Sequence, residues 1–502
     1  MLVHQHVGHR HPDQHRRRSH HRGVRKRILS RTATPGRSFP LELCQRVRAK
    51  ATTGSRMSTD ATSALVDPMS AAASAPSHSL NPQSEHSGGD RLSSDTTKFH
   101  KSRQSAAVLK HAIINQYATP FPSKTGSTSL DRRVAFIDGY AGPGRYDDKS
   151  EGSGAMLLRK AHELAAMNSP RKVELHFVEQ EPETVAKLRA VVAAEGQGLT
   201  VTVDDGDISE HLPTLLEAAK GIPLFTYFDP CGLIIPMDEV ASIFERPSGY
   251  GAPATEVLIN LTAHLRRFGG ILNSPNPVEG SLKRIDAVCG GDWWREAWLS
   301  KCPSTSASED QKMAAEEAVV AGYAEKLRER AGGAGTWVID VRPRADLKPV
   351  YYLVFGTRHI DGMLAFGESA SLGLQEWRKY LAKGAAEGTL FEDNDAWEKD
   401  WKAQEEILKK RWVETLAARI TDELAKGEAF RIIDRPEEIL RDDLVGVVRT
   451  LHLRAAIKKV LADGKTSTDP KGQNDLLNLA LKPASASASR PSAPRRARVR
   501  CS

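Results

Sequence analysis

The stretch FIDGYAGPGRY, residues 136–146, joins the end of an apolar run to a loop that contains three glycines, Gly139, Gly142 and Gly144. The apolar run is predicted to be a buried strand, and it stops at Asp138. Glycine costs conformational entropy wherever it is ordered. A cluster directly after a strand therefore indicates a backbone that turns sharply or approaches a ligand closely.

Apolar runs and helical patterns alternate around this loop. Strands are predicted at 134–138, 173–180, 199–205, 223–230 and 255–262, with helices between them. Two more apolar runs, 336–343 and 350–357, are separated by six residues, which is too few for a helical crossover and predicts an antiparallel hairpin. Five alternating strands plus a terminal hairpin predict an α/β fold, the Rossmann-like, doubly wound seven-stranded sheet of class I methyltransferases.

Composition divides the chain into four parts. We expect a disordered basic and Ser/Ala/Pro-rich tail at 1–95, a methyltransferase-like Rossmann domain at 96–385 with an inserted helical segment at 270–334, a helical, winged helix-turn-helix-like domain at 386–482, and a disordered basic tail at 483–502. The tails have too little apolar surface to offset the entropy of ordering the chain.

The positive charge of the chain belongs to its tails. The whole chain carries +8, residues 1–56 carry 14 Lys/Arg against 2 Asp/Glu, and residues 483–502 carry five Arg and no acid, which leaves residues 57–482 at about −9. Net charge is therefore weak evidence that the folded part binds nucleic acid. No apolar run is long enough for a membrane span, and the five cysteines form no disulfide framework, so we expect a cytoplasmic protein. No Cys/His spacing fits a zinc finger, and we expect no metal site.

The loop after the first strand is a candidate cofactor site. In a doubly wound sheet, ligands bind beyond the carboxyl ends of the strands, at the switch in strand order. The sequence DGYAGPG lacks the G-x-G-x-x-G pattern of dinucleotide binders, which favours a ligand without a pyrophosphate, such as S-adenosylmethionine. The glycines Gly139, Gly142 and Gly144 would admit its methionyl part and ribose, and Asp138 would face the cationic ligand. A tight strand-to-helix turn without a ligand is the alternative.

Polar residues also follow the next three predicted strands. Glu179 would bind the ribose hydroxyls, and Asp207 would accept a hydrogen bond from the adenine amino group. Phe228 would pack beside the adenine, with Asp229 and Pro230 beside the transferred methyl group. The structural alternatives are an exposed acid for Glu179, a helix N-cap for Asp207 and a plain turn after the fourth strand. The coincidence of signals at four strand ends favours S-adenosylmethionine as cofactor.

Several stretches together resemble the three-Cys-motif partner (TcmP) family, a methyltransferase-like bacterial group. They are KHAIINQY (110–117), FIDGYAGPGRY (136–146), HFVEQEP (176–182), YFDPCGL (227–233), EVLINLTAHLRRF (256–268) and YYLVFGTRHIDGM (351–363). The resemblance implies a partner, the three-cysteine protein encoded beside such genes. A more distant resemblance, through the loop pattern D-x-x-A-G-x-G-R-Y, is to bacterial ribosomal-RNA adenine-N6 methyltransferases.

The motif after the fourth strand departs from that of amino-methyltransferases. Those enzymes use Asp or Asn, two prolines and an aromatic residue, which hold the target amine and stack on a flipped base. Here Asp229 and Pro230 are followed by Cys231 and a glycine, so the second proline and the aromatic residue are absent. Cys231 is either a small apolar substitute or a nucleophile of the cytosine-C5 methyltransferase type. We favour amine methylation, with Asp229 and Pro230 as the catalytic residues.

The C-terminal region is predicted to resemble a winged helix. A short strand at 429–434 precedes a helix, a turn and a polar hairpin within 444–469. Basic residues predicted to face nucleic acid are His452, Arg454, Lys458, Lys459 and Lys465. The alternative is a solvated helix or a protein–protein module.

Two functions therefore follow from the sequence. The first is an S-adenosylmethionine-dependent methyltransferase that acts on nucleic acid. The second is a non-catalytic partner or regulatory module that keeps a methyltransferase fold and works with a three-Cys-motif protein.

Overall fold

The computed structural model describes residues 107–484 except 231, 233–234, 250, 263, 343–347, 350, 387–395, 441–443 and 445. The predicted N-terminal tail, Cys231 and nearly all of the predicted C-terminal tail lie outside the described residues.

One seven-stranded sheet organises the chain. Its strands are β1 (Arg133–Asp138), β2 (Lys172–Glu179), β3 (Thr200–Asp205), β4 (Leu224–Phe228), β5 (Thr255–Thr262), β6 (Gly335–Val341) and β7 (Tyr351–Thr357). They lie in the order β3-β2-β1-β4-β5-β7-β6, and β7 is antiparallel to both of its neighbours. The predicted strands and terminal hairpin are confirmed, and this strand order is that of the Rossmann-like methyltransferase fold.

Helices cover both faces of the sheet. They are α1 (107–117), α2 (Pro120–Thr125), α3 (Ser153–Ala165), α4 (Pro182–Glu195), α5 (Ile208–Ala218), α6 (Met237–Ser242), α7 (His264–Leu272), α8 (Glu279–Cys289), α9 (Trp293–Leu299), α10 (Glu309–Arg330), α11 (Ile360–Ala386), α12 (Ala396–Leu424), α13 (Pro436–Ile439) and α14 (Thr450–Ala462). Helix α4 begins at Pro182, and proline fits the first turn of a helix. Helix α10 begins with a capping box between Ser308 and Gln311.

Alternate residues of each central strand enter two separate cores. On β1, Val134 and Phe136 pack under α1, α3 and α11, whereas Ala135 and Ile137 pack under α5, α6 and the helices from α8 to α10. Burial on both faces explains why these strands read as continuous apolar runs and not as alternating ones.

A third apolar cluster holds the C-terminal region together. It joins α12 and α14 to Phe430 and Leu481. The strand predicted at 429–434 is reduced to a single bridge between Phe430 and Leu481, followed by a 3-10 turn at Ile432–Asp434. The side chain of Arg431 pairs with Asp434 at 2.7 Å across this turn, and the turned backbone cannot extend a strand ladder.

The described residues contain neither a helix suited to cross a membrane nor a group of metal ligands. Among them, no helix combines the length and apolar character that a membrane crossing requires. Within the same ranges, no three His, Cys, Asp or Glu side chains are grouped as metal ligands would be.

Candidate active site

The carboxyl ends of four neighbouring parallel strands meet at one edge of the sheet. Asp138 at the end of β1 is in register with Phe177 of β2 and Tyr227 of β4. Glu179 at the end of β2 is in register with Asp205 of β3. The residues predicted to form the site therefore belong to one edge, because parallel strands end together.

Glu179 ties the glycine loop to β2. One carboxylate oxygen of Glu179 accepts a hydrogen bond from the Gly142 amide at 2.9 Å. The other oxygen accepts from the amides of Gln180 and Glu181, both at 3.0 Å. The bond from Gly142 holds the glycine loop against β2 before any ligand arrives, and the other two fix the carboxylate, a role that the sequence analysis did not anticipate.

Glycine fits the positions of the loop for different structural reasons. Gly142 and Gly144 both have positive φ angles, 62° and 75°. A Cβ on Gly144 would lie 3.1 Å from Leu188 on α4, so this glycine allows the loop to pack against the helix. A Cβ on Gly142 would meet no atom within 4 Å, so Gly142 faces open space. Gly142 therefore leaves open space in front of the loop.

Asp138 is a buried carboxyl group with an unused oxygen. Its side chain is 0 % exposed, and Oδ1 accepts a hydrogen bond from the Tyr140 amide at 3.3 Å. Among the described residues, Oδ2 has no hydrogen-bond partner. Burial raises the pKa of Asp138 to about 7, although the nearby Ser153 side chain and the Tyr140 amide act in the opposite direction; the charges of Asp229 and Glu179 add smaller upward effects. An unpartnered buried oxygen is costly, which is consistent with a ligand that donates to it.

This pKa shift predicts a pH dependence of stability. The unfolded chain releases the Asp138 proton near pH 3.8, whereas the folded protein holds it up to about pH 7. The stability that this bound proton contributes is therefore lost as the pH rises towards 7. At 1.36 kcal/mol per pKa unit the whole loss is about 4 kcal/mol, of which about 3 kcal/mol falls between pH 5 and pH 8. We expect Asp138→Asn to reduce the difference in unfolding free energy between pH 5 and pH 8, as measured with urea. An unchanged difference would contradict the prediction.

Phe228 supports the loop. Its ring is 0 % exposed, and it packs edge-on against Tyr140 at a centroid distance of 6.2 Å. A Cβ on Gly139 would lie 2.6 Å from the same ring, so Gly139 lets the loop cross directly over it. The loop covers the ring of Phe228, and its contact with adenine stays a prediction. Tyr140 is the aromatic residue that lies between Phe228 and the loop surface.

Asp207 caps α5. Its Oδ1 accepts a hydrogen bond from the Ser209 amide at 2.8 Å, so the N-cap alternative is present in the structure. The residue is exposed at the same edge as Glu179.

Asp229, the predicted catalytic carboxylate, is held by two residues from elsewhere in the chain. Lys110 on α1 forms an ion pair with Oδ2 at 2.5 Å, and the Asn260 amide on β5 donates to Oδ1 at 2.6 Å. Burial alone would raise the pKa of Asp229, but Lys110 and Asn260 outweigh it, and the pKa lies below its usual value. Lys110 is correspondingly a firmly charged ammonium, with its pKa raised by Asp229 against the effect of burial. Pro230 follows and is buried.

Three rings lie near this ion pair. Lys110 lies 5.2 Å from the ring centroid of Tyr351. The rings of His111 and Tyr146 are 6.3 Å apart, and Tyr146 is 48 % exposed. Burial and the charge of Lys110 lower the pKa of His111, so its imidazole is neutral near pH 7. The surroundings of Asp229 thus contain an ammonium, a neutral imidazole and an exposed aromatic ring.

The predicted basic residues of the C-terminal region divide into two groups. Lys458, Lys459 and Lys465 are exposed, and Lys459 also pairs with Asp463 at 3.4 Å. Arg454 instead donates to the carbonyl groups of Pro470 and Gln473 and fastens a loop to α14.

His452 does not belong to the basic face, so that prediction was wrong. Its ring is fully buried against Trp412, and burial lowers its pKa to about 4. Its Nδ1 accepts a hydrogen bond from the Arg449 amide at 3.0 Å. His452 is therefore a neutral core residue.

Comparisons with known proteins give only distant likenesses. No protein-family model matches the chain, and no curated protein matches it in sequence. Among solved structures, the O-methyltransferase TomG from Streptomyces achromogenes is similar at 12 % identity and a TM-score of 0.24, over 50 % of this chain and 90 % of that one. An O-methyltransferase from Bacillus cereus is similar at 11 % and 0.23, over 50 % and 90 %. The methyltransferase PaMTH1 from Podospora anserina is similar at 13 % and 0.23, over 55 % and 100 %. Values this low identify neither family nor function, and the methyltransferase fold of this chain rests on its strand order.

Proposed function

We propose that the chain is an S-adenosylmethionine-dependent methyltransferase of the three-Cys-motif partner family that methylates an amine of a nucleic acid. The observation that carries the cofactor is the unpartnered, buried Oδ2 of Asp138 behind a glycine loop whose Gly142 faces open space. Asp138, Gly142, Gly144 and Glu179 would hold the cofactor above Gly139, with Asp207 towards its adenine. When bound, the cofactor supplies a methyl group activated on a sulfonium.

Asp229 and Pro230 would orient the acceptor amine. Asn260 holds Oδ1 of Asp229, which fixes the plane of the carboxylate and directs Oδ2 to Lys110. An acceptor amine would share Oδ2 with the Lys110 ammonium or displace it. The methylated amine must then lose a proton, and the neutral imidazole of His111 is close enough for the charge of Asp229 to act on its pKa.

Two features support nucleic acid as the acceptor. The Tyr146 ring is exposed beside His111, where a base could stack in place of the aromatic residue missing from the motif after β4. Lys458, Lys459 and Lys465 are exposed cations of the C-terminal region that would contact phosphates. Calorimetry with S-adenosylmethionine tests the cofactor, and absence of heat at millimolar ligand would contradict it. Labelled cofactor incubated with total cellular RNA, DNA and protein identifies the acceptor.

We expect Cys231→Ser to retain most of the methyl transfer. In amine methylation this residue is a small packing side chain, whereas in cytosine-C5 methylation it would be the nucleophile, and a hydroxyl is far less ionised than a thiol near neutral pH. The rate of labelled methyl transfer measures the difference. A folded, cofactor-binding Cys231→Ser protein without transfer would reverse the assignment.

A second candidate is a non-catalytic partner on the same fold. It is favoured by the Lys110–Asp229 ion pair, because an internal ammonium already satisfies the carboxylate that an acceptor amine would need. Co-purification with the three-Cys-motif protein encoded beside it, together with no labelled transfer to RNA, DNA or protein, would support this role over catalysis.

A further inference from the structure

A cavity lies at the amino ends of the parallel strands, on the edge of the sheet opposite the glycine loop. Its volume is about 460 Å³, within the range of roughly 300–1,000 Å³ that is typical of small-molecule sites. Apolar parts of its wall come from Phe121 on α2 and from Leu130, Pro223 and Pro253, which precede β1, β4 and β5. The cavity is therefore separate from the candidate active site.

Glu256, near the start of β5, forms part of the cavity wall. Its side chain is 2 % exposed. The hydroxyl of Thr357, its cross-strand partner on β7, donates to Oε1 at 3.1 Å, and the hydroxyl of Tyr117 on α1 donates to Oε2. Each oxygen has a second lone pair, so the carboxylate can accept further hydrogen bonds.

Glu256 is unusual because it is a buried glutamate without a cation. The other buried glutamates among the described residues each pair with an arginine: Glu174 with Arg133, Glu316 with Arg266, Glu405 with Arg378 and Glu423 with Arg435. No ion pair joins Glu256 to a lysine or arginine in the described part of the chain. The charge of Lys124, at the rim of the cavity, lowers the pKa of Glu256 without forming an ion pair with it. A buried carboxylate without a counter-charge is costly. Glu256 therefore either takes up a proton or is neutralised by a cation from outside the chain.

The surrounding chain makes room for this carboxylate. A Cβ on Gly362, in the first turn of α11, would lie 2.1 Å from Oε1 of Glu256. Burial raises the pKa of Glu256 to about 7, so the group still ionises near neutral pH, and a bound cation would favour the ionised form.

We propose that this cavity binds a small organic monocation, an amine or amidine on an apolar body, whose charged group donates to Glu256. The apolar walls would cover the body of the ligand, and Glu256 would supply the counter-charge that the chain itself does not. Lys124 also lines the cavity and is exposed, which disfavours a ligand with a second positive charge. The proposal does not depend on methyl transfer.

Benzylamine and benzyl alcohol are matched probes for this site. They share an apolar ring and differ in the charge of the donating group. We expect calorimetry or ligand-observed NMR on the full chain at pH 8 to show benzylamine binding at least about tenfold more tightly than the alcohol, since a charged hydrogen bond contributes more than a neutral one. Equal binding of the two probes, or no benzylamine binding at millimolar concentration, would overturn the proposal without any variant.

Two variants then locate the interaction. Glu256→Gln keeps the shape of the side chain and an acceptor oxygen but removes the charge, and we expect it to weaken benzylamine binding by about tenfold or more. Asp361→Asn removes an exposed carboxylate from the same cavity wall and should leave binding within about twofold, because exposed charges are screened. If benzylamine affinity is unchanged in Glu256→Gln, or falls equally in Asp361→Asn, the binding comes from general charge attraction. Either result would reject the proposed site.

Discussion

A Gly142→Asp variant should lose at least about 100-fold in affinity for S-adenosylmethionine, about 2.7 kcal/mol, while the protein stays folded. The new side chain would enter the open space in front of the loop, where no atom lies within 4 Å of the added Cβ. Its carboxylate would also place a second negative charge close to Glu179, which accepts a hydrogen bond from the amide of residue 142. Asp tolerates the left-handed backbone better than most residues, so the strain at φ 62° stays small. Calorimetry measures the affinity, and circular dichroism checks the fold.

Gly198 offers a matched control for the backbone. It also has a positive φ, 78°, and open space around its Cβ, but it lies in the turn between α4 and β3, before the amino end of β3. Gly198→Asp carries the same strain and the same charge, and we expect it to bind the cofactor as the unmodified protein does. If both variants lose the same affinity for S-adenosylmethionine, the loss is not specific to Gly142. If both variants bind S-adenosylmethionine as tightly as the unmodified protein, the glycine loop is not part of the cofactor site.

The strands could be predicted because their signals are local. Each central strand is a continuous apolar run between helical patterns, and the predicted and observed bounds differ by two residues at most, as at 173–180 against Lys172–Glu179. The hairpin followed from the length of one connection. The segment 429–434 was predicted as a strand because its apolar residues are close together in the sequence. They instead pack into the third apolar cluster from a turn, and this arrangement depends on distant residues that the local pattern does not show.

Only part of the candidate site could be predicted from the sequence. Asp138 and the glycines follow β1 directly, so strand position alone indicated them. Lys110 and Asn260 act on Asp229 from 119 and 31 residues away, and only the packing of α1 and β5 brings them there. A signal existed for each, since one is a charged residue on an apolar helix face and the other an amide inside an apolar strand. Both also stand in the stretches that resemble the three-Cys-motif partner family.

Asp229→Asn should slow methyl transfer by about 10²- to 10³-fold, about 3–4 kcal/mol, if Asp229 holds the acceptor amine. The variant has a structural cost of its own. It leaves the Lys110 ammonium buried without a counter-charge, and breaking a buried ion pair from one side typically costs about 3–5 kcal/mol of stability. A slow single variant could therefore be slow because it is partly unfolded. Urea unfolding and cofactor calorimetry on the same sample separate the two causes.

The double variant Lys110→Met, Asp229→Asn removes that ambiguity. Both charges are gone, the methionine fills the space of the lysine stem, and replacing a whole buried ion pair by uncharged groups is often neutral for stability. We expect the double variant to unfold at a urea concentration close to that of the unmodified protein, to bind S-adenosylmethionine, and still to transfer methyl groups at the rate of Asp229→Asn. Stability would then recover while activity does not, which only a chemical role of Asp229 explains. A stable double variant with transfer restored would instead make the ion pair a purely structural feature, and the acceptor amine would have to be held elsewhere.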